Sequence, residues 1–172
     1  MKPLKAHELL ASLERHKVRY VVIGGLGAVL QGSPLPTLDA DICPARDPGN
    51  LKRLADALRE LEARIRVEED PDGLPFACDA EFLSHVQILN LTTASGNLDL
   101  AFTPSGTTGF EDLDARALTM AIKDISVRVA ALEDIIRSKE AANRPKDHRT
   151  LPIHKQLQRE IESRRGRGGK PE

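Results

Sequence analysis

The stretch VRYVVIGGLGAVLQGSPLPTLDADIC, Val18 to Cys43, restricts the fold of this chain more than any other. Its first part is a β-branched run that predicts a buried strand, stopped by Gly24 and Gly25. Leu26 to Gln31 carries little polarity and predicts a short helix lying on a sheet, which Ser33, Pro34 and Pro36 then break. From Thr37 to Cys43 the pattern alternates, with Leu38, Ala40 and Ile42 on one face and Asp39 and Asp41 sharing the other. The unit is therefore strand, glycine turn, short helix, strand, and its second strand presents two carboxylates on the same side.

The flanking sequence adds helices and further strands. LKAHELLASLERH spaces Leu4, Leu9, Leu10 and Leu13 as a helical stripe, and Asn50 to Ala63 does the same with Leu51, Leu54, Leu58 and Leu61. RIRVE predicts a strand and EDPDGLP a loop, while VQILNLTT and LDLAF, joined by the turn ASGN, predict an antiparallel hairpin. ISVRVA predicts a short strand, LEDIIRSKEAAN a helix that Pro145 stops or kinks, and Lys146 to Glu162 a last helix. The expected fold class is α/β: a mixed β-sheet flanked by helices, with a helical C-terminal part. Residues 1–162 are expected to form one domain, and 163–172, in SRRGRGGKPE, a basic flexible tail.

Composition narrows the function classes. No apolar run reaches the roughly 20 residues of a membrane span, and the charged N-terminus lacks the apolar block of a secretory signal, so a cytoplasmic protein is expected. Cys43 and Cys78 alone support neither a disulfide scaffold nor a cysteine zinc site. Of the 25 basic and 26 acidic side chains, 9 and 4 lie in residues 144–172, an excess too small to imply nucleic-acid binding by itself.

Two ionised carboxylates as close as Asp39 and Asp41 repel each other unless a cation or strong donors intervene. Mg²⁺, or Mn²⁺ in its place, answers that need and commonly arrives on phosphate oxygens. Asp99, isolated in the apolar run GNLDLAF, is the best candidate for a third carboxylate. The competing reading is an ordinary polar strand edge. Gly24 and Gly25 allow backbone amides to approach a phosphate, with Ser33 and Thr37 as nearby hydroxyls, although the spacing matches neither GxxxxGK nor GxGxxG. In SKEAANRPKDHR, Lys139, Arg144 and Lys146 offer positive charge for a triphosphate, with Asp147 pairing to Arg144 or capping the last helix. The five histidines show no convergent spacing, and neither cysteine has a histidine partner.

Taken in order, VVIGGLGAVLQG, TLDADI, NLTTASGNLDLAF and the lysine helix with RPKD resemble the minimal nucleotidyltransferases of the DNA polymerase beta-like superfamily, particularly AbiE-type toxin components and their small stand-alone relatives. The resemblance implies transfer of a nucleoside monophosphate from a nucleoside triphosphate to an acceptor, which could be an RNA 3' end, a protein or a small molecule. It implies that Asp39 and Asp41 bind metal and that Asp99 completes the set as base. It puts Gly24, Gly25, Thr37, Lys139 and Lys146 about the nucleotide and gives Arg144 and Asp147 a partly structural role. A toxin or antitoxin partner is a further implication. Leu26 stands where many active relatives carry Ser or Thr, and Leu35 where arginine is common. These departures support the alternative of a catalytically degenerate nucleotide- or partner-binding protein.

Overall fold

The structure, a computed structural model, describes residues 2–167. Seven strands form one mixed sheet in the order β3-β4-β5-β2-β1-β7-β6. They are β1 (Tyr20–Ile23), β2 (Asp39–Pro44), β3 (Arg64–Ile65), β4 (Ile88–Thr93), β5 (Gly96–Ala101), β6 (Leu118–Ile122) and β7 (Ile125–Val129). β2 pairs antiparallel with β1 and parallel with β5, and β1 pairs parallel with β7. The hairpin expected around ASGN is the antiparallel pair β4–β5.

Strand alternation divides the side chains between two layers. Ala40, Ile42, Leu91, Leu98 and Leu100 bury one face beneath α1 (Ala6–Arg15) and α3 (Pro48–Glu60), against Leu9, Leu10, Leu13, Leu51, Leu54 and Leu58. The opposite face is covered only in part. Val21 and Cys43 pack there on Phe110 and Leu113 of α5 (Phe110–Asp114) and on Ile135 of α6 (Leu132–Ala142). Ala28 of α2 (Gly24–Leu30) meets Leu132 and Ile136 of α6 and Leu157 of α7 (Pro145–Arg167), so these three helices form a satellite core beside the sheet. The rest of that face, over β5 and the outer edge of β2, is where Asp39, Asp41 and Asp99 emerge.

Several elements depart from the sequence expectation. β6 and the short helices α4 (Ala80–Ser84) and α5 were not foreseen: β6 is a half-exposed edge strand, LTMAI, without a β-branched run, and a five-residue helix shows no periodicity. RIRVE supplies only a two-residue strand. α2 starts at the glycines themselves, with Gly24 at φ +63°, a conformation that suits glycine. Asn143, left-handed at φ 52°, ends α6, so that Pro145 opens α7 as its first residue and does not kink a continuous helix. Residues 163–167 continue α7, and 168–172 of the expected tail lie outside the described residues. Asp47 and Asp79 cap α3 and α4 by accepting from the Asn50 and Phe82 amides. No helix among the described residues is long and apolar enough to cross a membrane.

Candidate active site

The parallel register of β2 and β5 sets Asp41 opposite Asp99 and Asp39 opposite Asn97, so that Asp39, Asp41 and Asp99 point from two neighbouring strands to one face. β1 then brings the glycine turn to the same place, since Ile23 is opposite Asp41. A Cβ on Gly24 would stand 2.6 Å from Asp41 Oδ2, and one on Gly25 3.1 Å from Thr37 Oγ1. Both glycines are therefore close-approach positions as well as turn residues. Thr37 Oγ1 donates to the Asp39 carbonyl at 2.9 Å, tying the segment before β2 to the acidic strand. Ser33 is buried and its Oγ accepts from the Leu35 amide at 3.2 Å, a bond that closes its own turn.

Burial, followed by the charges of Asp99 and Asp39, pushes the Asp41 carboxyl up to about 7, while Lys146 and Lys139 pull the other way. Asp99 is also raised, chiefly by burial and also by Asp39, against the opposing pull of Arg66. Lys139 is lowered by burial, an effect that Asp147 and Asp41 oppose. Both Lys139 of α6 and Lys146 of α7 act as opposing charges on Asp41. Asp147, fully buried, anchors Lys139 and Arg144: Arg144 N and Nε donate to its Oδ2 at 3.1 and 2.8 Å, and Lys139 Nζ lies 3.6 Å from Oδ1. Burial alone would raise the Asp147 carboxyl, but the bonds from Arg144 and the Lys139 charge hold it below the usual range. Arg144 is thus committed to the helix junction.

Sequence reasoning missed Arg66. Its backbone amide donates to the Asn90 carbonyl at 2.9 Å, extending the pairing of β3 with β4, and its side chain reaches Asp99 directly and lies 3.8 Å from Asp39 Oδ1. The signal was present in RIRVE, where alternation puts Arg64 and Arg66 on one face, but nothing in that stretch says which strand lies two places away.

Among the described residues, no group of three His, Cys, Asp or Glu side chains is arranged to hold a metal ion. The guanidinium that bridges Asp99 and Asp39 supplies the positive charge in this arrangement. The three carboxylates on this face, beside the Cβ-free Gly24, are hard oxygen groups of the type that small divalent cations prefer.

No protein-family model and no curated protein sequence matches the chain. Solved structures do. The lincosamide antibiotic adenylyltransferase LnuA, with lincomycin bound, aligns at 19% identity over 91% of this chain and 99% of that one, with a TM-score of 0.59. A Thermotoga maritima protein that carries the name nucleotidyltransferase aligns at 17% identity over 85% and 87%, with a TM-score of 0.55. ANT(2")-Ia in complex with adenylyl-2"-tobramycin aligns at 15% identity over 95% and 96%, with a TM-score of 0.52. At such identities the likeness is one of fold, and it carries no AbiE-type assignment. The chain shares its fold with these solved structures, LnuA, the Thermotoga maritima protein and ANT(2")-Ia.

Proposed function

We propose that the protein transfers a nucleoside monophosphate from a nucleoside triphosphate to a hydroxyl of a small-molecule acceptor. The observation that carries this reading is the convergence of Asp39, Asp41 and Asp99 beside the glycine turn, with Lys139 and Lys146 approaching from the helix junction. The small-molecule acceptor is favoured because two proteins of the same fold, aligned over nearly their whole length, hold lincomycin and an adenylylated tobramycin.

Asp39, Asp41 and Asp99 would hold Mg²⁺ or Mn²⁺, whose chemistry when bound is Lewis-acid activation of the phosphoryl oxygens. The chain's own groups account for the rest. Gly24 and Gly25 keep side chains away from the wall where the phosphates would lie, and Thr37 fixes the start of the acidic strand. Lys139 and Lys146 offset the charge that develops on pyrophosphate as it leaves. The acceptor oxygen forms a bond to the α-phosphorus, the bond to the bridging oxygen of pyrophosphate breaks, and the acceptor proton passes to an Asp99 carboxylate oxygen. Burial raises the Asp99 carboxyl, which makes it a stronger base than an exposed aspartate. Leu26 is buried at the glycine turn and Leu35 half-buried in the segment before Thr37, so triphosphate binding relies on the lysines in place of a hydroxyl or arginine there.

The test is incubation with each α-phosphate-labelled nucleoside triphosphate, Mg²⁺ or Mn²⁺, and separate acceptor pools: lincosamides and aminoglycosides, cellular RNA, and cellular protein. Label on a small molecule that disappears in Asp39→Asn and Asp99→Asn is the expected outcome. Label on RNA or protein would replace the acceptor class and return a toxin-type role to consideration. Nucleotide binding without transfer to any pool would leave a degenerate binding protein.

A further inference from the structure

Arg66 lies in an unusual place for an edge-strand side chain. Its backbone is bonded to Asn90 of β4, Asn90 is opposite Asp99 of β5, and Asp99 is opposite Asp41 of β2. Two strand spacings separate Arg66 from Asp99, about 10 Å between backbones. Only a long side chain laid across the open face of β4 covers that distance. The guanidinium then meets carboxylates from two different strands, Asp99 in direct contact and Asp39 at 3.8 Å, with Arg66 itself 28% exposed and Asp99 21%. A forked, planar cation can bridge two carboxylates in a way that a lysine's single ammonium does not.

That position is the one a metal ion would need if these carboxylates are its ligands, and the inference rests on that reading. A free divalent cation entering the site would have to break the Arg66 contacts and then sit beside a displaced positive charge. A cation arriving on a triphosphate brings negative charge that compensates for the displaced guanidinium. We propose that Arg66 is the internal cation of the acidic site, which excludes free divalent ions and yields to one delivered on a nucleoside triphosphate, so that metal and nucleotide load together. Arg66 is on this account a positioning residue: it holds Asp39 and Asp99 facing one another before substrate arrives.

The experiment is a Mn²⁺ titration followed by electron paramagnetic resonance on the full chain after chelator treatment, with and without a non-hydrolysable triphosphate. Without nucleotide, Arg66→Gln is expected to bind Mn²⁺ at least tenfold more tightly than the wild type, and adding Asp99→Asn to Arg66→Gln is expected to abolish the gain. The triphosphate is expected to raise the wild type's Mn²⁺ affinity by a larger factor than the variant's. Arg66→Lys keeps the charge without the fork and is expected to gain two- to threefold in nucleotide-free Mn²⁺ affinity, less than Arg66→Gln, which keeps the test open should Arg66→Gln fail to fold by circular dichroism. Equal nucleotide-free affinity in the wild type and a folded Arg66→Gln, or an Arg66→Lys that gains as Arg66→Gln was expected to, overturns the proposal while leaving the metal site intact. If no form binds Mn²⁺ even with triphosphate, the carboxylate reading itself fails and the inference falls with it.

Discussion

Asp41→Asn offers the sharpest physical test of the site, because it separates the cost of the acidic cluster from its use. Burial and the neighbouring Asp99 and Asp39 charges lift Asp41 from 3.8 to about 7 in the folded chain. A group raised on folding contributes stability that is fully present below its unfolded value and lost as pH rises through the folded one. The wild type should therefore weaken between about pH 4 and pH 7. At about 1.4 kcal/mol for each tenfold change in proton affinity, the gap sets a ceiling of about 4 kcal/mol. Relaxation of the carboxylates and entry of water into the open face reduce the expected effect to about 2 kcal/mol. Asparagine cannot ionise, so Asp41→Asn should match the wild type at pH 3 to 4 and exceed it by about 2 kcal/mol at pH 8, in urea unfolding with chelator present. The corresponding rise in melting temperature at pH 8 is about 5 °C. Saturating Mn²⁺ with triphosphate should reverse the order, since a ligand that binds only the wild type's folded state stabilises it alone. A stability difference that does not change between pH 4 and pH 8, or a less stable variant at pH 8 without metal, would refute the claim that repulsion and burial dominate at Asp41.

Gly24→Ala combines a left-handed backbone with a Cβ 2.6 Å from Asp41 Oδ2, and should cost about 2 kcal/mol in urea unfolding and abolish nucleotide binding measured by calorimetry. Gly25→Ala meets only the Thr37 side chain, Oγ1 at 3.1 Å and Cβ at 3.4 Å, and should cost less than half as much. Asp147→Asn removes the buried charge that Arg144 and Lys139 share, and should lower stability at pH 7 by about 2 kcal/mol. Because the Asp147 carboxyl is held low, its contribution is present above the unfolded value and lost as pH falls below about 4, so the wild type and variant should converge in acid. Asp134, fully buried between Arg116 and Arg137, is remote in sequence from the acidic pair, and Asp134→Ala should cost about 2–3 kcal/mol by denaturation.

The acidic half of the site was legible because strand periodicity is a local property. Asp39 and Asp41 must share a face once Thr37 to Cys43 is extended, and Asp99 stands out as the one charge among Leu98, Leu100 and Ala101. The glycine pair was legible for the same reason, being a break in a β-branched run. The parallel pairing of β2 with β5 was not, since a register across 58 residues depends on which strands become neighbours. Arg66 shares that fate: its partner is chosen by the order β3-β4-β5-β2, which no local pattern encodes. Lys139 was more accessible, because helical spacing sets it against the core-facing Ile135 and Ile136, yet Asp147 as its buried anchor needed the α6–α7 turn to be known. β6 went unseen because its alternating Leu118, Met120 and Ile122 are each only half-buried at a sheet edge.

The same distinction bears on how the site works. The backbones that carry the three carboxylates are fixed by the central strands, whose other face carries the main core. The three cations that balance them come from less constrained places: Arg66 from the end of a two-residue edge strand, Lys139 from the last turn of α6 and Lys146 from the first turn of α7. Rigid negative charge surrounded by separately tethered positive charge can exchange one cation at a time without moving the backbone. Lys139 and Lys146 act on Asp41 from the α6–α7 junction and can remain there as phosphates arrive, whereas Arg66 contacts Asp99 and Asp39 and must leave for another cation to take its place. A metal triphosphate still carries net negative charge, so the displaced guanidinium gains a new partner as it loses its old ones. The exchange therefore costs least for the metal complex and most for the bare ion.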